Sequence, residues 1–527
     1  MEKITADISS FENLRKVRYV YVDKTDLLWR LAADCEGRQF FISRPRRFGK
    51  SLMLSTLKCL FEGKRELFRG LKIDKLAYDW KTYPVLSLDM SKVKGETPDE
   101  LKASLHSVVD GIAATFGVEV APDKPVGTRF GLVLDALFAK RGEYVVLVDE
   151  YDVPLQGFLR DRAAVRRVRS IMHDFYVQLK SHSGDIRFMM MTGVTKLTKL
   201  SVFSGLNNPE DLTMDHPKYA GLLGYTPKEI EAAYPKRLDA LAKKLKTDRR
   251  GALKRLLDWY DSYRFCPDSH VSVCNPISIA KALKLSKLDS YWVRTAVSTL
   301  VMERMEAARK SPADFEGCTA TKSELDLCDA IELPVKSLMY QSGYLTIKGQ
   351  SKTEVDEIGN PALVLGAPNR EVRGALKTGW FDHFVKIPAT EFEAFVDVAK
   401  GQLASGDLRG LLYETLYALY AKVPPTWRIR CEADAKRHFH LFMEMLGARV
   451  QPERPSLLGY ADAIVETKAF VWVFEFKFNK SAKAAVRQIR DKGYADAYKG
   501  DRRPVTLVGI NFRNRKRNID EPIFEKL

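Results

Sequence analysis

The sequence predicts an α/β fold in three parts: a parallel sheet wrapped by helices, a helical middle region, and a smaller α/β unit towards the C-terminal end. Three observations carry this reading. From about Tyr19 to Leu212, short apolar runs alternate with amphipathic helical segments, the pattern of successive βαβ units. A loop ending in Gly49-Lys50-Ser51 stands between one of these runs and a helical segment. Near the other end, two adjacent strand patterns carry Asp462, Glu475 and Lys477. The boundaries of the three parts fall at 1–214, 215–388 and 389–527.

The elements follow in order. Buried strands are expected at QFFI (39–42), VLSL (85–88), YVVLV (144–148) and FMMM (188–191), because a strand covered on both faces reads as a continuous apolar run. Helices are expected between them, over 51–61 and 161–180. In the middle region, KSLMYQSGYLTIKG reads as a helix entering a short hairpin, a winged-helix-like shape. Beyond about Leu408, helical patterns give way to the strands YADAIVE and AFVWVFEFKFN, a helix over 482–498 and the strand PVTLVGINF. A basic cluster, Arg513, Arg515, Lys516 and Arg517, follows that strand.

Composition narrows the function classes. In 527 residues, 85 Lys and Arg stand against 68 Asp and Glu, a net charge of +17, with 45% apolar residues. That is enough apolar material for packed cores, and it excludes wholesale disorder. No run approaches the ~18 apolar residues of a membrane span, and the N-terminal stretch has no apolar core behind a basic start, so a cytoplasmic protein with no membrane partner is expected. The cysteines, at 35, 59, 266, 274, 318, 328 and 431, are odd in number and never form C-x-x-C, which argues against a disulfide framework or a zinc site. The positive charge favours a polyanionic partner, with nucleic acid first and DNA ahead of RNA.

The first candidate site is the loop Ser43-Arg-Pro-Arg-Arg-Phe-Gly-Lys-Ser51. A strand, a loop and then a helix N-terminus is the context in which backbone N–H groups cradle phosphates. Gly49 lets the backbone approach, Lys50 reaches the β- and γ-phosphates, and the Ser51 hydroxyl holds Mg²⁺. The usual opening glycine is replaced by Arg44. Arg44, Arg46 and Arg47 are candidates for phosphate contact, one of them supplying in cis the charge that stabilises the transferring group, or else for docking another part of the chain. The strand YVVLV ends in Asp149-Glu150, where a parallel sheet presents ligands. Asp149 would bind Mg²⁺ and Glu150 would position or deprotonate the attacking water. Thr192, after FMMM, stands where a polar residue can sense the γ-phosphate or simply end a strand.

The second candidate site is D-x12-E-x-K. In VWVFEFKF, period-two alternation puts Glu475 and Lys477 on one face with Val471 and Val473, opposite Trp472, Phe474, Phe476 and Phe478. Charges held on so apolar a strand are costly unless a metal or partner compensates them. Asp462 and Glu475, with the Phe476 carbonyl, would coordinate Mg²⁺ or Mn²⁺, and Lys477 would orient water or stabilise developing negative charge. Glu453 and Gln488 are weaker candidates, His440 reads as a core or surface histidine, and the alternative for the whole strand is an edge with outward charges and no metal.

Taken together, these residues resemble a family of prokaryotic proteins that join an AAA-ATPase-like domain to a C-terminal PD-(D/E)XK nuclease-superfamily domain. The likeness runs through Tyr21-Val-Asp-Lys-Thr25, Arg44-Pro-Arg-Arg-Phe-Gly-Lys-Ser51, Val148-Asp-Glu-Tyr-Asp152, Thr192-Gly-Val-Thr195 and Phe203-Ser-Gly-Leu-Asn-Asn208. It continues through Tyr263-Arg-Phe265, Asn275-Pro276, Gly343-Tyr-Leu-Thr346 and Pro368-Asn369 to Gly459-Tyr-Ala-Asp462, Phe474-Glu-Phe-Lys477 and Gln488. The resemblance implies a P-loop NTPase sheet and a PD-(D/E)XK α/β domain, with a loop that opens without glycine. Two positions depart from the family pattern: Tyr460 stands where arginine is usual, and Lys436 where an acidic residue is usual. Expected from this are ATP and Mg²⁺ as cofactors, with Mn²⁺ an option at the second site, and an ATP-binding, ATP-hydrolysing protein coupled to a metal-dependent nuclease. By analogy such architectures serve phage defence or mobile elements. The alternatives are a nucleotide-switched binding protein whose nuclease-like domain is inactive, and an ATPase acting on protein partners through the middle region. A homo-oligomer in which a neighbour supplies an arginine, and a chain that supplies its own, are both left open.

Overall fold

The computed structural model describes the chain apart from residues 1, 6–7, 34–36, 197–208, 293–298, 309, 327–333, 386–388, 419–428, 430, 447, 457–458 and 514–518. For residues 381, 384–385, 389–393, 437, 441, 444–445, 449 and 451–456 it describes the backbone alone. The expected motif at 203–208 and the basic residues 515–517 therefore lie outside the described residues. The chain forms two compact units, Met1–Ala296 with Gly317–Arg373, and Val297–Glu316 with Gly374–Leu527. By packing, most of the middle region is thus continuous with the N-terminal part.

In the first unit, β1 (Gln39–Ser43), β2 (Val85–Asp89), β3 (Tyr144–Asp149), β4 (Ile186–Gly193) and the short β5 (Glu210–Asp211) form a sheet in the order β2-β3-β4-β1-β5. Every pairing is parallel. The four expected strands are all present. Phe41, Ile42, Val146, Val148, Met189, Met190 and Met191 have no solvent exposure, as a sheet covered on both faces requires. The helix Lys50–Phe61 follows β1 directly and starts at Gly49, whose φ of 94° favours glycine. The helix Arg162–Ser181 begins where the Asp161 carboxylate accepts from the Ala163 and Ala164 N–H groups, a side-chain cap for donors that have no partner within the helix.

The rest of this unit is a helical module whose core includes Ile230, Leu238, Leu256, Tyr260 and Leu283, and a small antiparallel sheet. The helix Val335–Gln341 turns at Gly343, φ 86°, into a hairpin of β7 (Thr346–Val355) and β8 (Pro361–Gly366), with β6 (Thr319–Ala320) beside β8. The helix-then-hairpin reading of this segment matches the structure.

The second unit is built on β9 (Arg449–Ser456), β10 (Gly459–Glu466), β11 (Val471–Phe478), β12 (Val505–Phe512) and β13 (Ile523–Lys526), in the order β13-β12-β11-β10-β9. β11 is the central strand, antiparallel to β10 and parallel to β12. The edge-strand alternative is therefore set aside. Val471 and Val473 pack with Val486 and Ile489 of the helix Ala482–Asp491, while the rings of Phe474 and Phe476 lie 4.5 Å and 5.0 Å from Phe439 of the helix Glu432–Met445. The former helix was expected to reach residue 498. It stops because Gly493 takes φ 60° and the Tyr494 N–H turns back to the Ile489 carbonyl, a left-handed ending that suits glycine. Among the described residues no helix is long and apolar enough to cross a membrane.

Candidate functional site

The N-terminal candidate site lies at the C-terminal edge of the parallel sheet. β1 delivers the loop Arg44–Ser51, β3 delivers Asp149 and Glu150, and β4, which lies between them, delivers Thr192. A cavity opens over this edge; its lining includes Arg47, Gly49, Lys50, Ser51 and Glu150 from the loop and strand ends, together with Leu28, Tyr21, Lys24, Leu222, Tyr225 and Ile277. Cations and helix N–H donors thus share one cavity with apolar and aromatic side chains, a mixture that suits phosphates and a base.

Lys50 is buried and, among the described residues, makes no carboxylate contact: its Nζ donates to the carbonyls of Arg44 at 2.8 Å and Pro45 at 3.1 Å. Burial lowers its pKa to about 8, although Asp152, Asp149 and Glu150 oppose the shift. The Thr192 hydroxyl donates to Asp149 Oδ1 at 2.7 Å, which ties the end of β4 to the first acid. Glu150 holds a left-handed backbone, φ 53°, and burial together with neighbouring Asp149 raises its carboxyl above the ordinary range. Such strain and such a shift in one residue are features that functional positions accumulate.

Asp152 explains two motifs at once. Its carboxylate accepts from the Thr195 N–H at 2.9 Å, the Thr195 hydroxyl at 2.7 Å and the Val194 N–H. The Tyr151 hydroxyl donates to the Thr195 carbonyl at 2.9 Å. Between them Gly193 leaves room: a Cβ there would stand 2.6 Å from the Tyr151 ring. The segments 148–152 and 192–195 are therefore a latch joining the ends of β3 and β4.

The three loop arginines part company. Arg47 lines the cavity. Arg46 is exposed and donates to Gln156 Oε1 at 3.1 Å. Arg44 is not brought to the cavity: it is 1% exposed, donates to the carbonyls of Ser43 and Thr213, and lies 4.3 Å over the Phe265 ring. Burial lowers its pKa to about 10. The loop opening that glycine usually supplies is here held by this buried guanidinium and by Pro45, against which Gly343 packs so closely that a Cβ would stand 2.7 Å from its ring.

Sequence reasoning missed the apolar part of the cavity lining. Tyr21 and Lys24 lie within a quoted motif, but Leu222 and Tyr225 carry no local signal. Lys24 connects the two segments, donating to the Gly221 carbonyl at 2.6 Å and to Glu229 at 2.7 Å.

The second candidate site stands on β10 and β11. These strands pair only as far as Ala463 and Phe474. Beyond that point the Asp462 carboxylate substitutes for a backbone partner, its Oδ2 accepting from the Phe476 N–H at 2.7 Å. The splayed strands thereby place Asp462 beside Glu475 and Lys477. Lys477 Nζ donates to Glu475 Oε1 at 2.7 Å and to the Phe476 carbonyl at 3.1 Å. Glu475 and Lys477 are 1% and 6% exposed. Burial and the nearby Asp462 charge raise the Glu475 carboxyl to about 7.

Lys436, from the helix Glu432–Met445, closes the cluster with its Nζ 2.6 Å from Asp462 Oδ1. Gln488 donates to the Tyr494 hydroxyl at 3.3 Å. The side chain of Glu453 lies outside those described. His440 is half-buried on the same helix as Lys436.

Divalent ions fit both places by donor chemistry. Among the described residues, no three His, Cys, Asp or Glu side chains converge as a metal-binding group, but Mg²⁺ keeps several waters and asks the protein for only one or two carboxylates. At the second site Glu475 Oε2 is buried and, among the described residues, has no hydrogen-bond partner, an acceptor open to a cation. At the first, Ser51 and Asp149 offer a hydroxyl and a carboxylate.

Two family models match the chain, one over each candidate site. The family described as "Predicted AAA-ATPase" matches residues 5–203, and the PD-(D/E)XK nuclease superfamily matches residues 432–522. A protein of Azotobacter chroococcum mcd 1, titled "Uncharacterized protein in vnfD 5'region", is 31% identical over 538 residues, covering 100% of this chain and 99% of its own. Among solved structures, the ORC2 protein of Aeropyrum pernix in its ADPNP-ADP complexes is 12% identical, covering 72% of this chain and 96% of its own, with a TM-score of 0.25. Cdc6p from Pyrobaculum aerophilum is 10% identical, covering 69% and 93%, with a TM-score of 0.24. The fold and its two sites define an α/β protein with an AAA-ATPase-like domain and a nuclease-superfamily domain in one chain. The chain belongs to the family of prokaryotic proteins that join those two domains.

Proposed function

We propose that the chain couples ATP binding and hydrolysis in its N-terminal part, 1–214, to cleavage of nucleic-acid phosphodiester bonds in its C-terminal part, 389–527, with the middle region, 215–388, between them in sequence. DNA is favoured over RNA. The observation that carries the reading is the cluster of Asp462, Glu475 and Lys477 on and beside a central, otherwise apolar strand. A sheet needs no such charges for stability, and apolar residues would pack there at lower cost.

In the N-terminal part, Lys50 and the N–H groups at the start of the helix Lys50–Phe61 bind the phosphates. Arg47, which faces the cavity, supplies charge to the transferring group, and Glu150 orients or deprotonates the attacking water. Ser51 and Asp149 would hold Mg²⁺, which neutralises phosphate charge. Thr192 fixes the Asp149 carboxylate. Arg44 supports the loop from behind.

In the C-terminal part, Asp462 and Glu475, with the Phe476 carbonyl, would hold Mg²⁺ or Mn²⁺, which polarises a phosphodiester and lowers the pKa of bound water. Lys477 stabilises developing negative charge or orients water. The net charge of +17 supports capture of the polyanion. The test is cleavage of plasmid, single-stranded DNA and RNA with Mg²⁺ or Mn²⁺: loss of cutting in Glu475→Ala and Lys477→Ala is expected, and unchanged cutting in both would sink the reading.

A second reading is a nucleotide-switched binder that no longer cuts. The ion pair between Lys436 and Asp462 favours it. It predicts salt-sensitive nucleic-acid binding with no cleavage under either metal.

A further inference from the structure

We propose that Lys436 is a resident counter-cation at the nuclease-like site, one that a divalent ion must displace from Asp462 before it can bind. The inference rests on the nuclease reading and concerns the control of that same site.

Each acceptor in the cluster can be followed to its donor. Asp462 Oδ1 takes the Lys436 ammonium at 2.6 Å, and Asp462 Oδ2 takes the Phe476 N–H at 2.7 Å. Glu475 Oε1 takes the Lys477 ammonium at 2.7 Å. Among the described residues, Glu475 Oε2 is the one carboxylate oxygen of this pair without a partner. Among the described residues two ammonium groups thus compensate Asp462 and Glu475 without a metal, with Glu432 a further carboxylate 4.0 Å from one of them. A divalent ion entering beside both lysines meets like charge in a poorly solvated place, where such repulsion is only weakly screened.

The two lysines are not equivalent. Lys477 lies on the same strand as Glu475, and its side chain is 8% exposed. Its ammonium is confined between Glu475 and the Phe476 carbonyl. Lys436 reaches in from a separate helix, and its side chain is 30% exposed, against 6% for Asp462. A flexible four-carbon stem at a solvent edge can swing outward, whereas Asp462 is fixed by its backbone donor. An alternative partner is already present: Glu432, one turn earlier on the same helix, lies 4.0 Å from the ammonium. Lys436 can therefore leave Asp462 without losing all charge compensation. It is a displaceable group in the place where a cation belongs, and a positioning residue for the site.

The experiment is a titration of the full-length protein with Mn²⁺ in the absence of nucleotide, read by calorimetry and by the shift in melting temperature. Asp462→Asn defines the signal that belongs to this site. Lys436→Met keeps the apolar stem and removes the charge, Lys436→Gln is the polar equivalent should the methionine variant fail to fold, and Lys436→Arg keeps the charge. Removing the charge is expected to tighten Asp462-dependent Mn²⁺ binding by about tenfold or more, with a larger rise in melting temperature on adding metal, whereas Lys436→Arg stays as weak as wild type. Equal, measurable affinity in wild type and in the uncharged variants overturns the counter-cation and leaves the nuclease reading standing. Tightening by arginine as well overturns it too, because charge would then not be the cause. Absence of Asp462-dependent binding in every variant overturns both.

Discussion

The two candidate sites treat charge in opposite ways. At the phosphate loop, Lys50 is buried against two backbone carbonyls, with the nearest carboxylates at a distance rather than in contact. At the nuclease-like site, each lysine is matched by a carboxylate within 2.7 Å. On the proposed reading, the first is a cation prepared for an anion and the second a set of paired charges that a metal must open. Lys50 and Lys477, 5% and 6% exposed, are buried to a similar degree, and only their partners differ: carbonyls alone in one case, a carboxylate with a carbonyl in the other.

The sharpest way to break this comparison is to remove one charge from each site. Lys477→Met leaves Glu475 buried without its partner, and should cost the C-terminal unit about 3–5 kcal/mol in denaturant unfolding. Pairing it with Glu475→Leu should restore most of that loss, since the two charges go together. Lys50→Ala should behave differently: ATP binding falls by about 100-fold, read by fluorescence titration, with no loss of thermal stability, because a costly buried ammonium is gone. If Lys50→Ala destabilises as much as Lys477→Met, the contrast is wrong.

A gentler probe is pH. The neutral form of Lys50 gains ground as pH rises through about 8, and only the protonated form attracts phosphate. ATP affinity should therefore weaken above that pH, by up to about tenfold per unit, and an affinity flat from pH 7 to 9.5 would remove Lys50 from phosphate binding. The smallest effect expected is at Gly49, whose φ of 94° an alanine adopts only under strain even though no atom would crowd its Cβ within 4 Å. Gly49→Ala should cost about 1 kcal/mol in the same unfolding measurement.

Much of this was legible in the sequence because the strong signals are local. The runs QFFI, YVVLV and FMMM mark strands by apolar continuity alone, and the acids at 149 and 150 fall at a strand end by simple counting. Spacing likewise allowed a hairpin to bring Asp462 to Glu475, and the structure adds the splayed ladder that holds it there. What could not be read is long-range. Leu222 and Tyr225 join the loop across more than 170 residues of chain. Lys436 stood out as an unusual residue, yet nothing local says that its ammonium meets Asp462. The sequence leaves Arg44 between phosphate contact and docking another part of the chain, and only packing against Phe265 and Thr213 shows that its side chain turns away from the cavity. The helix after β11 ended early through the backbone angle at Gly493, which residue identity suggests but does not require.

The central claim is that nucleotide at one site governs cleavage at the other. Its most direct test is a cleavage assay on plasmid, single-stranded DNA and RNA with Mg²⁺ or Mn²⁺, with and without ATP, comparing wild type, Lys50→Ala and Glu475→Ala. The account predicts that wild type cuts, that ATP changes the rate, that Lys50→Ala cuts without responding to ATP, and that Glu475→Ala does not cut. Cleavage in Glu475→Ala equal to wild type, or no cleavage of any substrate by wild type, would contradict it.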